Sequence, residues 1–364
     1  MKSVSRLPTW SVVVPLASWA LLLVALTGHL AALGWLFQAM VVAGLIGGIL
    51  AAVFHAEVVA HRIGEPYGTL VLALSVTSIE VALIVSLMIA GGEAASGLAR
   101  DAVFASVMII LNGMVGICLL SGGRRHGEQS FGLYGVSATL ATIAAISVLT
   151  LVLPNYTSTR AGPYYSDSQL AFIALTSIVL YGTFVMVQTV KHRDYFLPAE
   201  AATDETAHAP PPPNKTAIGS AVLLLVCLVS VVLWAKILSP ALEAGVSYIG
   251  APQTLVGVLI AAVVLLPESI AAYQAARANR LQTSLNLALG SALAGIGLTI
   301  PAVAAVSLIT GTPLTLGIDE KSTVLLVLSL IVASLSLGTG RTTVMQGTVH
   351  LVIFAVYLFT VIVP

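Results

Sequence analysis

Charge is scarce in this sequence. Asp, Glu, Lys and Arg make up 8% of the 364 residues, where a soluble domain carries roughly a quarter. So little charge cannot cover a surface that faces water. The 15 basic and 15 acidic side chains cancel, leaving no bulk field to attract nucleic acid or an acidic partner, so nucleic-acid binding is set aside. Cysteine is nearly absent: Cys118 and Cys227 both stand in apolar stretches. A disulfide framework or a zinc site would need paired, closely spaced ligands, so both read as small core residues. Also missing are an Asp-rich diphosphate motif, HExxH, a Gly-rich phosphate loop and any Ser-Lys or Gly-x-Ser-x-Gly arrangement. An intramembrane enzyme therefore has little residue support.

Apolar residues fill the space that charge leaves. They make up 58% of the chain, and the mean hydropathy is +1.03. Apolar runs of about 20 residues mark membrane-spanning helices, and eleven are expected, at 10–29, 33–54, 66–91, 101–121, 133–154, 168–190, 217–239, 252–276, 282–310, 322–338 and 343–363. The fold class is thus an all-α integral membrane protein. Lys2 and Arg6 ahead of the first run superficially suit a secretory signal, but no small-residue cleavage site follows Leu30, so a retained first span is expected.

One long polar interruption, 191–216, holds Asp194, Glu200, Asp204, Glu205 and four prolines from Pro210 to Pro213. Such a stretch cannot build a core and reads as a spacer, although a regulatory cation-binding loop is a second reading. The domains are then an N-terminal helix in 1–32, a first five-helix repeat in 33–190, the linker, and a second five-helix repeat in 217–364. Lys and Arg resist translocation and set orientation. With the N-terminus in the cytoplasm, the inner segments collect Lys2, Arg6, Arg62, Arg124, Arg125, Lys191, Arg193, Lys215, Arg277, Arg280 and Arg341, and the outer ones only Arg100, Arg160, Lys236 and Lys321. This places the linker in the cytoplasm, Pro364 outside, and the protein in the cell (inner) membrane, with the lipid bilayer as its constant partner. The oligomeric state stays open.

An odd number of spans per repeat means that the two repeats run in opposite senses, an architecture of many secondary transporters. Landmarks recur in order. Glu57 closes helix 2, Gly64 follows and Glu80 lies deep in helix 3; Glu243 follows helix 7, Gly250 comes next and Glu268 lies deep in helix 8. The glutamates are 23 residues apart in the first case and 25 in the second.

Glu80 and Glu268 carry the functional argument. Each is the lone charged residue in the interior of its span, and a carboxyl group near the bilayer midplane costs several kcal/mol. One such residue can be a protonated hydrogen-bonding group; two at matching positions point to an ion site. Thr69, Ala73 and Thr77 share the face of Glu80, while Gly257, Ala261, Ala271, Ala272 and Ala275 share that of Glu268. Small residues allow close helix approach, so two carboxylates could share one ion. Pro267 denies the Val263 carbonyl its helical donor, leaving either a plain kink or a hard-cation ligand. Ser106, Asn112, Gly113 and Gly116 in helix 4, and Ser284, Ser291, Gly295 and Thr299 in helix 9, make polar stripes that read equally as ligands or as interhelical glue. His350, four residues after Gln346, reads as a hydrogen-bonded structural histidine or a proton relay. Burial disfavours a charged carboxylate, so protons and cations compete for the same oxygens, and exchange follows more naturally than symport.

The stretches HAEVVAHRIGEPYGTLVLALSVTSIEVALIVSLMI (55–89), LLPESIAAYQAARANRLQTSLNLALGSALAGIGLTIPAV (265–303) and GRTTVMQGTVHLVIF (340–354) resemble the cation/proton exchangers of the calcium/cation antiporter superfamily, and among them the ChaA-type bacterial antiporters. The resemblance implies inverted five-helix repeats, an additional N-terminal helix, and export of calcium, sodium or potassium against protons. The glutamates of the family's Gly-Asn-x-x-Glu motif match Glu80 and Glu268, and its acidic residue before that helix matches Glu57. A Gly-Ser-Ser-Thr-Gln-like family segment matches GSALA from Gly290, keeping Ser291 but not the glutamine. Where the family has Gly-Asn, this chain has Val76-Thr77 and Val264-Leu265. Losing both asparagine carbonyls removes oxygens that calcium, with about six to eight ligands, would use. The site expected is therefore Glu80 and Glu268 as the metal-binding pair, with Val263, Thr77, Ser106, Asn112 and Ser291 around them and Glu57 and Glu243 as accessory acids. Transported ions are cargo, and no resident cofactor is expected. A proton-coupled carrier of another small solute would want aromatic or basic groups at midplane, and a passive channel would want pore rings from several subunits.

Overall fold

Inside a bilayer no water reaches backbone N–H and C=O groups, so apolar stretches of this length close their hydrogen bonds internally as helices. The computed structural model describes residues 7–27, 33–64, 67–197, 211–248, 250–252 and 254–363. Half of the 191–216 linker, residues 198–210, lies outside them, with Lys2 and Arg6. Among the described residues ten helices are long and apolar enough to cross a membrane, and one bent pair makes an eleventh span.

In chain order the helices are α1 (Thr9–Leu26), α2 (Trp35–Ile63), α3 (Tyr67–Gly91), α4 (Leu98–His126), α5 (Leu133–Tyr156), α6 (Asp167–Lys191), α7 (Asn214–Tyr248), α8 (Thr254–Val264), α9 (Leu266–Arg277), α10 (Leu281–Thr310), α11 (Glu320–Leu337) and α12 (Val344–Ile362). The span count agrees with the apolar runs, but several edges do not. Glu57 does not close α2, which continues to Ile63, and Glu243 lies inside α7 rather than after it. Charged side chains near a helix end reach the interface without ending the helix, so a window that stops at the first charge cuts the element short.

The chain divides into two units, residues 1–87 with 206–250 and residues 88–205 with 251–364. In the first, α2 packs along α7, and α1 lies against both. Trp234, fully buried beside Gly44, donates its indole N–H to Ser18 Oγ at 2.7 Å, and Trp19 Nε1 donates to the Val226 carbonyl at 3.0 Å. His55 Nε2 lies 2.8 Å from the Ser11 carbonyl oxygen. Lipid is as apolar as leucine, so polar ties of this kind and close packing hold α1 in place.

In the second unit α12 packs on α4, α10 on α6, and the bent pair α8–α9 along α4. Gly347 of α12 meets the Leu120 backbone so closely that a Cβ there would overlap the Leu120 nitrogen. The Ser166 capping box starts α6, and a second one, Thr343 with Gln346, starts α12. Gln346 therefore caps a helix rather than serving His350. A two-residue antiparallel ribbon, β1 (Gln129–Ser130) with β2 (Arg341–Thr342), joins the loop after α4 to the loop before α12.

Candidate functional site

Glu80 occupies the middle of α3, in the first unit, and is 6% exposed; Thr77, one turn earlier, is 5% exposed. Helix α3 is continuous through both. Glu57 is half-buried near the end of α2, whereas Glu243 is exposed and accepts a hydrogen bond from Ser239 Oγ at 2.8 Å. The first unit thus places one buried carboxyl at mid-span and two others towards helix ends.

The span expected as one helix over 252–276 is in fact two, α8 and α9, bent by 55°. The break falls at Leu265, two residues before Pro267. Proline at that position sits in the first turn of α9, where its missing N–H has no intrahelical partner to lose. Val263 lies in the last turn of α8, and the residue four positions on, Pro267, has no N–H to offer its carbonyl. Glu268 is the acidic residue of the first turn of α9, where the helix dipole favours negative charge. A helix end rich in carbonyl oxygen and a carboxylate thus meet across one break, an arrangement that suits a cation and its counter-charge.

Helix α4 departs from regular geometry too, with a π-helical turn at Ile109–Met114. Helix α8 packs on the first half of α4, and α9 packs on the π turn and the half beyond it. Both irregularities therefore lie along one helix–helix contact. π-Turns recur at functional sites because they free backbone groups and re-aim side chains. Gly257 allows the approach: a Cβ there would sit 3.1 Å from the Ala102 nitrogen.

Asn112 lies in the π turn and is fully buried. Its Nδ2 donates to Ser329 Oγ on α11 at 2.8 Å, and its Oδ1 lies 3.4 Å from His350 Nδ1 on α12. Ser329 in turn donates to the Leu325 carbonyl at 2.6 Å. The carboxamide is engaged on both sides, so the structure joins Asn112 to His350 and to Ser329, a residue the sequence reading did not single out. Ser329 is 217 residues from Asn112, and no local pattern marks it. Ser106 is buried on α4 and Ser291 half-buried on α10.

The far end of α9 is tied down by side chains from the end of α4 and the loop after it. Gln129 Nε2 donates to the Ala276 carbonyl at 3.0 Å and to Asn279 Oδ1 at 2.9 Å, and His126 Nε2 lies 3.0 Å from the Arg277 carbonyl oxygen. Asn279 takes a left-handed conformation, with φ of 58°, that ends the helix. Among the described residues no group of three or more His, Cys, Asp or Glu side chains assembles. A bound cation would therefore draw on carbonyl and hydroxyl oxygen as well as carboxylate.

A model of the sodium/calcium exchanger protein family matches residues 33–190 and 219–363. A putative ionic transporter of Sinorhizobium fredii, y4hA, is 47% identical over 360 residues, covering 99% of this chain and 98% of that protein. The sodium-potassium/proton antiporter ChaA of Escherichia coli is 36% identical over 320 residues, covering 87% and 86% respectively. Among solved structures, the H+/Ca2+ exchanger CAX shares the fold with a TM-score of 0.68 at 14% identity, covering 96% of this chain and 89% of that one.

Proposed function

The chain belongs to the sodium/calcium exchanger protein family and is a multi-pass cation/proton antiporter rather than an enzyme, and from this premise we propose that it exports calcium, sodium or potassium in exchange for protons, with Glu80 and Glu268 as the carboxylates for which cation and protons compete. What supports the reading is a buried mid-span carboxyl, Glu80, on α3 and a carboxylate, Glu268, beside the break of the α8–α9 span. ChaA is named for sodium and potassium, and CAX for calcium; the loss of both Gly-Asn pairs here favours a site that relies on carbonyl, hydroxyl and water oxygen. Val263, Thr77, Ser106 and Ser291 complete that oxygen set, and Glu57 and Glu243 tune the approach of ions. No resident cofactor takes part.

Alternating access delivers the site to one side at a time. Two carboxylates can exchange two protons for one calcium ion without net charge movement, and a monovalent ion needs one proton for the same neutrality. The protein lies in the cell (inner) membrane with its N-terminus in the cytoplasm and its C-terminus outside, as the excess of basic residues on one set of loops favours. The test is ion-driven proton flux in reconstituted vesicles, with calcium, sodium and potassium supplied separately. Glu80→Gln and Glu268→Gln keep size and hydrogen bonding but neither ionise nor release a proton, so each is expected to abolish exchange while the protein still inserts. Full exchange by either variant would overturn the reading. Glu57→Gln and Glu243→Gln are expected to alter rate or pH response more mildly.

A further inference from the structure

The second unit encloses a cavity of about 220 Å³ where the first turns of α4, α8 and α11 meet the end of α12. Asp319 stands at its exposed rim; Phe104, Val258, Leu325 and Tyr357 are its buried parts. At about 30 Å³ per water, this is room for roughly seven waters, the volume of a small ion with its first hydration shell.

The chemistry facing the cavity is oxygen. Two basic residues also line it, and each is tied to an oxygen of the same wall. Arg100 Nε donates to Asp101 Oδ1 at 2.7 Å and its Nη1 to the Gly317 carbonyl at 3.3 Å, while Lys321 Nζ donates to the Thr360 carbonyl at 2.8 Å in the last turn of α12. Each carboxylate commits one oxygen, Asp101 to Arg100 and Asp319 to the Ser322 amide at 3.1 Å. The other oxygen of each has no hydrogen-bond partner among the described residues. The two acids also stand close enough to repel one another. Tyr357 is 2% exposed and lines the cavity, its ring edge-on to Phe104 at 5.6 Å. Its hydroxyl has no hydrogen-bond partner among the described residues and is left to water or a ligand in the cavity. Thr254 and Ser322 add hydroxyls.

We propose that this cavity is a binding site for a hydrated metal cation of the calcium or sodium type, held by Asp101, Asp319 and Tyr357 largely through water. Arg100 and Lys321 balance the two carboxylates in charge and are each already bonded to oxygen, so the uncommitted acceptors left for a ligand are carboxylate and phenol oxygens. Two acids are too few to strip a hydrated ion, so binding is weak and exchange fast, as a waiting position requires. The cavity also sits over the buried polar cluster, because Phe104 and Asn112, Leu325 and Ser329, and Tyr357 and His350 fall on common faces of α4, α11 and α12. Its part in handing ions to or from the transport site rests on the exchange reading; its occupancy by a cation does not.

The experiment uses terbium(III), a hard-cation probe whose emission is sensitised by a nearby tyrosine, on the full chain carrying Glu80→Gln and Glu268→Gln. With the proposed transport carboxylates silenced, calcium-displaceable terbium emission is expected to persist. It should fall several-fold on adding Tyr357→Phe, which removes the sensitising hydroxyl ligand, and on adding Asp319→Asn, which still caps α11 and so preserves the fold. No emission in the doubly substituted background, or emission unchanged by either addition, would overturn the site. Failure of the exchange reading would instead appear in proton flux, a separate measurement.

Discussion

Asn112 Oδ1 and His350 Nδ1 lie 3.4 Å apart at the interior of the second unit, while the other end of the same carboxamide donates to Ser329. Three helices are thereby joined at one fully buried point. Ser329→Ala leaves the Asn112 amide only the weak Met108 sulfur acceptor at 3.8 Å in a low-dielectric surrounding, where such a loss costs about 1–3 kcal/mol. A lowered unfolding temperature in detergent with unchanged apparent cation affinity is the expected result. A changed affinity with unchanged stability would make this cluster part of the ion site itself.

Pro267 tests the break in the α8–α9 span. Pro267→Ala restores an N–H that can reach the Val263 carbonyl and extend one helix into the other. If that carbonyl serves the ion, apparent cation affinity weakens while the protein still folds and inserts, as read from the ion concentration that half-saturates proton flux. Unchanged half-saturation would leave the proline with a purely architectural role.

Competition for the same oxygens fixes the sign of the pH response. Raising pH removes protons that occupy the carboxylates, so cations bind more tightly; lowering it weakens them. Each displaced proton contributes up to about a tenfold change in apparent affinity per pH unit. Half-saturation measured across pH with calcium, and again with sodium, should give the steeper dependence for calcium if two protons leave for one divalent ion. A flat profile for both ions would exclude a shared site.

Gly347 reports on how tightly α12 must sit. A Cβ there overlaps the Leu120 backbone nitrogen, which cannot swing aside as a side chain can. Gly347→Ala is expected to cost about 1–3 kcal/mol through overpacking and to push α12 outwards, taking His350 from Asn112. Thermal unfolding of the variant beside Ser329→Ala measures this, and near-additive losses would show the two contacts to be independent.

Much of the architecture was legible because hydropathy acts span by span. Eleven apolar runs correspond to ten helices and one bent pair, and Glu80 and Glu268 stand out since each is alone in its stretch. What a linear reading could not reach was non-local or geometric. Ser329 matters because Asn112, 217 residues away, needs an acceptor. The π turn in α4 arises from backbone bonding that no residue type announces. Pro267 marks a kink or a freed carbonyl within one expected span, but a proline is tolerated in a first turn, so the chain breaks at Leu265 into two helices, while α3 is unbroken. Charge suggests a boundary at Glu57 and Glu243, yet α2 and α7 continue past both, because at an interface charge is only a change of surroundings.

The ties from Gln129 and His126 to the end of α9 have a mechanical consequence. Turning α9 would rupture bonds to the Ala276 carbonyl, to Asn279 and to the Arg277 carbonyl together. No side-chain hydrogen bond reaches α8 among the described residues, and it rests on α4 through the smooth surface at Gly257. One transmembrane crossing is thus anchored in two ways, α8 by close packing and the far end of α9 by polar ties, and Glu268 belongs to the segment that polar ties hold at its other end.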